Sequence, residues 1–438
     1  MKKIVYLVDN KNRDLPSVVL LTYHLEKLGI ECIIEPLEAW KGCLYAHKPD
    51  MIIFNHLLGS HLVEYSRFLN TVGVLVGVLP NEGILYNKEV LDFNSSKFHN
   101  GAHIDYFFVW NQAHKDAILK GLNTSNTKVE IIGVPRFDFY FPPFIKEKEE
   151  NDNTILICTN FVFSQFLHKD KSIADKLFSP WKNRISSYKD YWGLIKTNAK
   201  AKKMFFAFLN TIVEEKKYNI ILKPHPGEDP SEYDRWYEKL DKDLKTKVIY
   251  DKTSYIWELI PKADLEIACE TCTTTLESWI ANKKTIELEL TKNPVFYHEF
   301  ISKMGPTCSD SSQIIDTIEK TLQTNISQEQ VDLQTEHLAY WCDSPDGDSN
   351  LKLANILSKI DNPKTNFKNI PFTYKRKAKK LILLKELNLP YNYDPMLTLK
   401  EKLFPLKYKD KTRIYKKTIK PIHVEQWKHK ISVLLGNQ

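Results

Sequence analysis

Residues 219–227 read Asn-Ile-Ile-Leu-Lys-Pro-His-Pro-Gly. The run Ile220-Ile221-Leu222 is too short for a buried helix, and it is apolar on both faces, as a central strand of a parallel sheet is. It ends on a cation, Lys223, and two prolines then bracket His225 ahead of Gly227. Proline fixes φ and has no N–H, so the strand stops there and the histidine is held at its end. The stretch therefore predicts a buried strand that delivers an imidazole to one edge of a sheet.

Working outward, the same pattern recurs on both sides. Short apolar runs alternate with segments of helical spacing. Lys3–Asp9, Ile30–Pro36, Met51–Asn55, Val72–Leu79, Ile104–Trp110 and Val129–Gly133 read as strands, with helices at Leu15–Leu28, Leu62–Asn70 and Gln112–Leu122. A stretch at 141–153, with two prolines and the charged run Lys146–Glu150, reads as a linker. The pattern then restarts: strands at Thr154–Thr159, Asn219–Lys223, Val248–Asp251, Leu265–Ala268 and Thr285–Leu290, and helices at Ala201–Lys217, Thr271–Ala281, Ser312–Thr321 and Ser349–Ile360. The expectation is an α/β chain of two Rossmann-like doubly wound domains, 1–145 and 153–364, followed by a basic extension, 365–438. Two such domains in tandem predict a cleft bordered by strand ends.

Composition narrows the class. The chain has 438 residues, 42% hydrophobic and 27% charged, which excludes full-length disorder. No apolar run approaches the roughly 20 residues of a membrane-spanning helix. Met1-Lys2-Lys3 and the five-residue run after it read as a strand, not a secretory signal. Seven scattered cysteines, with one CxxC at Cys269 and Cys272, suit a reducing cytoplasm better than a disulfide scaffold. His24, His47, His56, His61, His99, His103 and His114 show no HExxH spacing, so no metal site is expected. The first strand lacks GxGxxG and no GxxxxGK[ST] occurs, which disfavours dinucleotide and P-loop sites.

The formal charge of +7 is uneven. From Thr365 onward there are 18 Lys and Arg against 5 Asp and Glu, so residues 1–364 are net acidic. Apolar and aromatic residues interrupt the basic tail, among them Leu381–Leu384, Tyr391, Tyr393, Leu403, Phe404 and Trp427. Such a mixture suits an anionic membrane surface, and a solvated arm packed back on the body is the plainer alternative. No nucleic-acid module accompanies the charge, so nucleic acid is not an expected partner.

Three segments carry chemistry. In the first, Lys223, His225 and Pro226 stand at a strand end, where an imidazole can donate to phosphate or act as an acid. In the second, Thr271, Thr273, Thr274 and Thr275 crowd a helix start after the strand ending at Ala268. Helix N-termini attract phosphate, and Glu277 further on is placed to reach a ribose. The third is Pro80-Asn81-Glu82-Gly83, where Glu82 follows a very apolar run and can act as a base on an acceptor hydroxyl. Arg13-Asp14 and Gly133–Asp138 also follow strands, and Arg13 and Arg136 are candidates to clamp a carboxylate or phosphate. A stiff turn, ordinary helix capping and structural ion pairs are the structural alternatives to these roles. Asp346-Gly347-Asp348-Ser349 reads as a turn and N-cap.

Taken in order, these motifs resemble a GT-B glycosyltransferase of the bacterial surface-carbohydrate (capsule and lipopolysaccharide) type, similar to CMP-sugar transferases such as sialyltransferases and Kdo transferases. Lys223-Pro224-His225-Pro226 looks like the HP motif of that group. Pro80–Gly83 looks like its acidic-acidic-Gly motif, and Thr271–Glu277 like its Ser/Thr-rich phosphate motif. Asn81 departs from the pattern, leaving Glu82 as the one carboxylate. The resemblance covers about residues 1–360. It implies transfer of a 2-keto sugar acid (Kdo, sialic acid or a related nonulosonic acid) from a CMP-sugar to a lipid-linked or oligosaccharide acceptor. No metal or further cofactor would be needed. In this scheme Glu82 is the base, His225 with Thr273 and Thr274 holds the leaving phosphate, and Arg13 or Arg136 holds the sugar carboxylate. The enzyme would be cytoplasmic and attached peripherally to the inner membrane face by its tail. The competing readings are a CDP-glycerol-type polyol-phosphate transferase, a UDP-sugar transferase or epimerase, a non-catalytic GT-B-like scaffold of a glycan assembly complex, and a lipid or nucleic-acid binder acting through the tail.

Overall fold

The computed structural model describes residues 2–97, 101–121, 126–145, 148, 152–293, 295–343, 345–404, 408, 411 and 414–436. Lys146, Glu147, Glu149 and Glu150 of the expected linker, and His99, lie outside the described residues. Contacts divide the chain into two compact units. The first holds residues 1–85, 94–138 and 340–438, and the second holds 86–93 and 139–339.

The first unit is built on six parallel strands in the order β2-β1-β3-β4-β5-β6. They are β1 (Lys3–Val8), β2 (Glu31–Pro36), β3 (Met51–Phe54), β4 (Leu75–Val78), β5 (Tyr106–Val109) and β6 (Lys128–Ile131). The central strands are buried along their length, which is why they read as unbroken apolar runs. The strand order reverses at β1, between β2 and β3. In open α/β sheets, ligands collect outside the carboxyl ends of the strands at such a point.

The second unit repeats the plan in the order β12-β11-β10-β7-β8-β9, again all parallel. Its strands are β7 (Thr154–Cys158), β8 (Asn219–Lys223), β9 (Val248–Tyr250), β10 (Leu265–Cys269), β11 (Lys284–Leu288) and β12 (Thr307–Cys308). Its reversal lies between β7 and β10. The cysteine thiol of Cys269 donates to the Cys158 carbonyl there, at 3.2 Å. Each unit has its own apolar core. All seven cysteines are buried free thiols.

The domain boundaries differ from those expected at 145, 153 and 364. Residues 340–364 belong with the first unit, and so does the whole basic tail. The reason is visible in two buried acids. Asp138 accepts from the Ser349 N–H at 3.0 Å and from the Asn350 N–H and Asn350 Nδ2 at 2.8 Å each. It thereby satisfies donors at the start of the Ser349–Ser358 helix, across more than 200 residues of sequence. Of the segment Asp346–Ser349, expected to form a turn and N-cap, Asp348 occupies the N-cap position without a side-chain cap bond. Burial pushes the Asp138 carboxyl up to about 6. Glu35 on β2 is also buried, and it pairs with His47 at 2.9 Å and with Lys385 of the tail at 2.8 Å. Those two partners outweigh the effect of burial and hold its carboxyl below its usual value. Ile370, Leu381 and Tyr391 complete the first unit's core.

Two expected helices also shift. The helix expected at Ala201–Lys217 begins ten residues earlier and spans Tyr191–Glu214, and the one expected at Thr271–Ala281 shortens to Thr274–Ile280.

Candidate functional site

In the first unit, the predicted residues converge at the reversal point. Asp14 sits in the first turn of the Lys11–Lys27 helix and is buried. Its Oδ1 accepts from Arg13 Nε at 2.7 Å, and its Oδ2 from Asn81 Nδ2 at 3.2 Å. Burial raises its pKa, only partly offset by Arg13. Asn55, at the end of β3, donates to Asn81 Oδ1 at 2.8 Å and to the Tyr6 hydroxyl at 3.2 Å, and accepts from the Asp9 N–H at 3.1 Å. Asn81 is therefore fixed through its side-chain amide. An aspartate there would place a second carboxylate against Asp14, which gives the departure from the acidic-acidic-Gly pattern a physical reason.

Glu82, next in sequence, is the exposed member of the group. Its side chain is 60% accessible, with Arg13 Nη1 3.7 Å away. Gly83 is required by close approach, because a Cβ there would lie 2.7 Å from the Trp110 ring. Arg136 lies over Trp110, 4.8 Å from the ring centroid, and donates to the Asn81 carbonyl at 3.4 Å. Arg13, Asp14, Asn81 and Arg136 line a small pocket of about 40 Å³ with Tyr6, Leu79, Pro80 and Trp110. Arg13 faces three carboxylates: Asp14, Asp9 at 3.6 Å and Glu82.

In the second unit, the β8 end and the β7–β10 reversal hold the other candidates. His225 is exposed, and its Nδ1 accepts from the Gly227 N–H at 3.0 Å. That bond selects the tautomer with hydrogen on Nε2, which makes Nε2–H the donor of the ring. The loop is clamped by Glu228, a buried residue the sequence reading passed over. Its Oε1 accepts from the Thr159 hydroxyl at 2.6 Å, the Phe161 N–H at 3.0 Å and the His225 N–H at 3.3 Å. Its Oε2 accepts from the Tyr233 hydroxyl at 2.6 Å and faces Lys202 at 3.7 Å. An acid directly after Pro226-Gly227 looks like loop polarity, and only the partners reveal its work. Lys223 is tied to Asp251 at the end of β9, at 3.3 Å. Pro226 is exposed.

After β10 the chain makes an elbow. Glu270 and Thr271 both adopt left-handed backbone, with φ of 60° and 49°. Such strain in non-glycine residues gathers at functional sites. The Thr271 N–H donates to Glu287 Oε1 at 2.7 Å, and its hydroxyl accepts from the His298 N–H at 3.2 Å. Thr273 and Thr274 are half-buried at the helix start, and Thr275 is buried. Thr275 Oγ1 is buried and meets no hydrogen-bond partner among the described residues, and Thr274 Oγ1, also buried, lies beside the Glu266 carboxyl and the Cys158 and Cys272 thiols. Glu277 is buried and accepts from the Tyr140 hydroxyl at 2.6 Å. Burial pushes Glu266 and Glu270 up to about 7 each, and Glu287 up to about 8. Burial thus favours the neutral form of these carboxyls, which weakens their repulsion of a nearby anion.

Among the described residues, no group of three His, Cys, Asp or Glu side chains is arranged to hold a metal ion. No protein-family model matches the sequence, and no curated protein matches it. Solved structures do align. A putative UDP-N-acetylglucosamine 2-epimerase from Listeria monocytogenes superposes with a TM-score of 0.51 at 11% identity, over 84% of this chain and 100% of that one. S. aureus MnaA, in a UDP co-structure, gives 0.50 at 12% identity, over 82% and 96%. This is the GT-B fold. The wall teichoic acid polymerase TagF also aligns, with a TM-score of 0.48 at 12% identity over 82% of this chain and 89% of that one. At such identities the likeness extends to the fold, with two Rossmann-like units in tandem as the motif order implied.

Proposed function

We propose that the protein is a nucleotide-sugar-dependent glycosyltransferase whose second unit takes the nucleotide and whose first unit takes the acceptor. The observation that carries this reading is the second unit's reversal point, which sets the threonine-rich turn of 271–275 and the strained Glu270–Thr271 elbow at a ligand-binding position of the fold. His225 Nε2–H and the turn at Thr273–Thr275 stabilise the leaving phosphate, and Glu277 takes the ribose. Lys223 and Pro226 hold the loop behind them. Glu82 takes the proton of the acceptor hydroxyl as its oxygen bonds to the anomeric carbon, and the sugar–phosphate bond breaks with its electrons going to the phosphate.

Two donors fit this scheme. The order of the motifs supports a CMP-linked 2-keto sugar acid, handled without a metal, with Arg136 on the sugar carboxylate. The pairing of Arg13 with three carboxylates favours a neutral sugar instead, and UDP, present in the S. aureus MnaA co-structure, then becomes the natural carrier. The acceptor is a lipid-linked or oligosaccharide glycan, reached at the membrane through the basic tail. Among the described residues, no helix is long and apolar enough to cross a membrane.

The test is calorimetry and thermal shift with CMP, CDP, UDP and UMP, with and without Mg²⁺, on wild type and His225→Ala. A ligand that prefers the folded state raises its melting temperature. Selective stabilisation that weakens in His225→Ala supports the reading and names the carrier. No response to any nucleotide would refute it in favour of a non-catalytic scaffold. With the donor known, Glu82→Gln should lower kcat by about 100-fold or more while nucleotide binding is unchanged.

A further inference from the structure

Burial separates the faces of the Phe372–Glu386 helix. Ala378, Leu381 and Leu384 are buried, and Tyr374 packs its ring against Trp40, Tyr65 and Phe68, with centroids 6.3, 5.9 and 5.4 Å away. Gly42 of the Trp40–His47 helix lets the two helices touch, since a Cβ there would lie 2.9 Å from the Lys377 carbonyl oxygen. The orientation of the tail helix is therefore fixed. At about 100° per residue, the stripe opposite this contact carries Phe372, Arg376, Lys379, Leu383 and, at the C-cap, Leu387. Phe372, Leu383 and Leu387 are 78%, 55% and 58% exposed. Arg376 and Lys379 are exposed between them. The helix holds six basic residues and one acid. The Leu397–Leu403 helix that follows repeats the theme, with Met396, Leu399 and Leu403 exposed at i, i+3 and i+7.

A water-facing stripe is expected to be polar, yet here large apolar side chains alternate with cations. Neither a second copy nor a nucleic acid matches both halves. A second copy docked symmetrically, tail helix on tail helix, would bring like charges together, and a phosphate backbone offers nothing to phenylalanine and leucine. The boundary between acyl chains and anionic headgroups matches both. We propose that the outward face of the Phe372–Glu386 helix lies on an anionic phospholipid surface. The inference rests on the transferase reading only for its purpose, which is to meet a lipid-borne acceptor.

The experiment is co-sedimentation of the full chain with phosphatidylcholine vesicles, with and without phosphatidylglycerol. Wild type should bind the anionic vesicles alone, and less so as salt rises. Each Lys or Arg near such a surface strengthens attachment roughly fivefold, so Arg376→Gln with Lys379→Gln should weaken it about 25-fold. Phe372→Ser, Leu383→Ser and Leu387→Ser together should weaken it by roughly 100-fold or more. Ile249→Ser, which removes an exposed apolar side chain from the other unit, should change nothing. Both tail variants should keep the wild-type melting temperature and nucleotide response, so failure of this surface and failure of the nucleotide reading give different results. Absence of wild-type binding, or a serine triple variant that binds like wild type, overturns the proposal. So does a wild-type dimer that the serine triple variant converts to monomer, because the face then belongs to a second copy.

Discussion

Replacing Glu228 by glutamine tests the loop clamp with almost no change in shape. Glu228 Oε1 takes three hydrogen bonds, from Thr159, Phe161 and His225, and Oε2 takes Tyr233 with Lys202 beyond it. A glutamine carbonyl can keep the first set as neutral bonds, each about half as strong as a bond to an ionised acceptor. Its amide would face the Tyr233 hydroxyl, which can turn to Thr159 at 3.1 Å. Lys202 would lose one of two anions and keep Glu232 at 2.8 Å. The expected loss is about 2–3 kcal/mol. Alanine removes every acceptor from a buried cluster of donors, and about 5 kcal/mol is expected. For a unit of this size, 1 kcal/mol moves the melting temperature by about 2–4 °C, so the glutamine variant should melt about 4–12 °C lower. Differential scanning calorimetry reads this directly. A glutamine variant that melts with wild type, or an alanine variant no worse than glutamine, would refute the clamp.

The buried glutamates of the second unit give a pH test. Burial, with Glu270, Glu266 and Glu289 adding to it, pushes folded Glu287 up to about 8 against an ordinary 4.5, so the native state holds more protons between those values and stability falls as pH rises through them. Glu287→Gln keeps an acceptor for the Thr271 N–H. It should match wild type near pH 5 and gain on it towards pH 8 by at most about 1.4 kcal/mol per pH unit, measured as urea midpoints across that range. Gly42→Val should cost about 1–3 kcal/mol by crowding the Lys377 carbonyl, and limited proteolysis should then cut the tail before the body.

How far the sequence could be read varied with the distance over which each feature is decided. Strands such as β1 and β8 were legible because burial on both faces leaves an unbroken apolar run, a property of the local chain alone. The Trp40–His47 helix was not, because aromatic and polar residues there blur the helical period, whereas the Lys171–Lys182 helix keeps an apolar stripe at Ile173, Leu177, Phe178 and Trp181 but carries Pro180 within it. The elbow at Glu270–Thr271 looked like a helix start, since nothing in Glu-Thr-Cys-Thr announces left-handed backbone.

The candidate site divides along the same line. Glu82, His225 and the threonines of 271–275 stand at strand ends, and position at a strand end follows from the pattern of the chain itself. Asn55, Glu228 and Glu287 gained their roles from partners in the loops that follow other strands. The sequence by itself determined the two parallel sheets, their tandem order and the uneven charge, because apolar periodicity and composition are written residue by residue. Only the tertiary structure decided that the tail belongs to the first unit, that Asp138 caps a helix more than 200 residues away, and that Asn81 is held by Asn55 and Asp14. A buried polar group must find a partner wherever the fold supplies one, and no local pattern records where that will be.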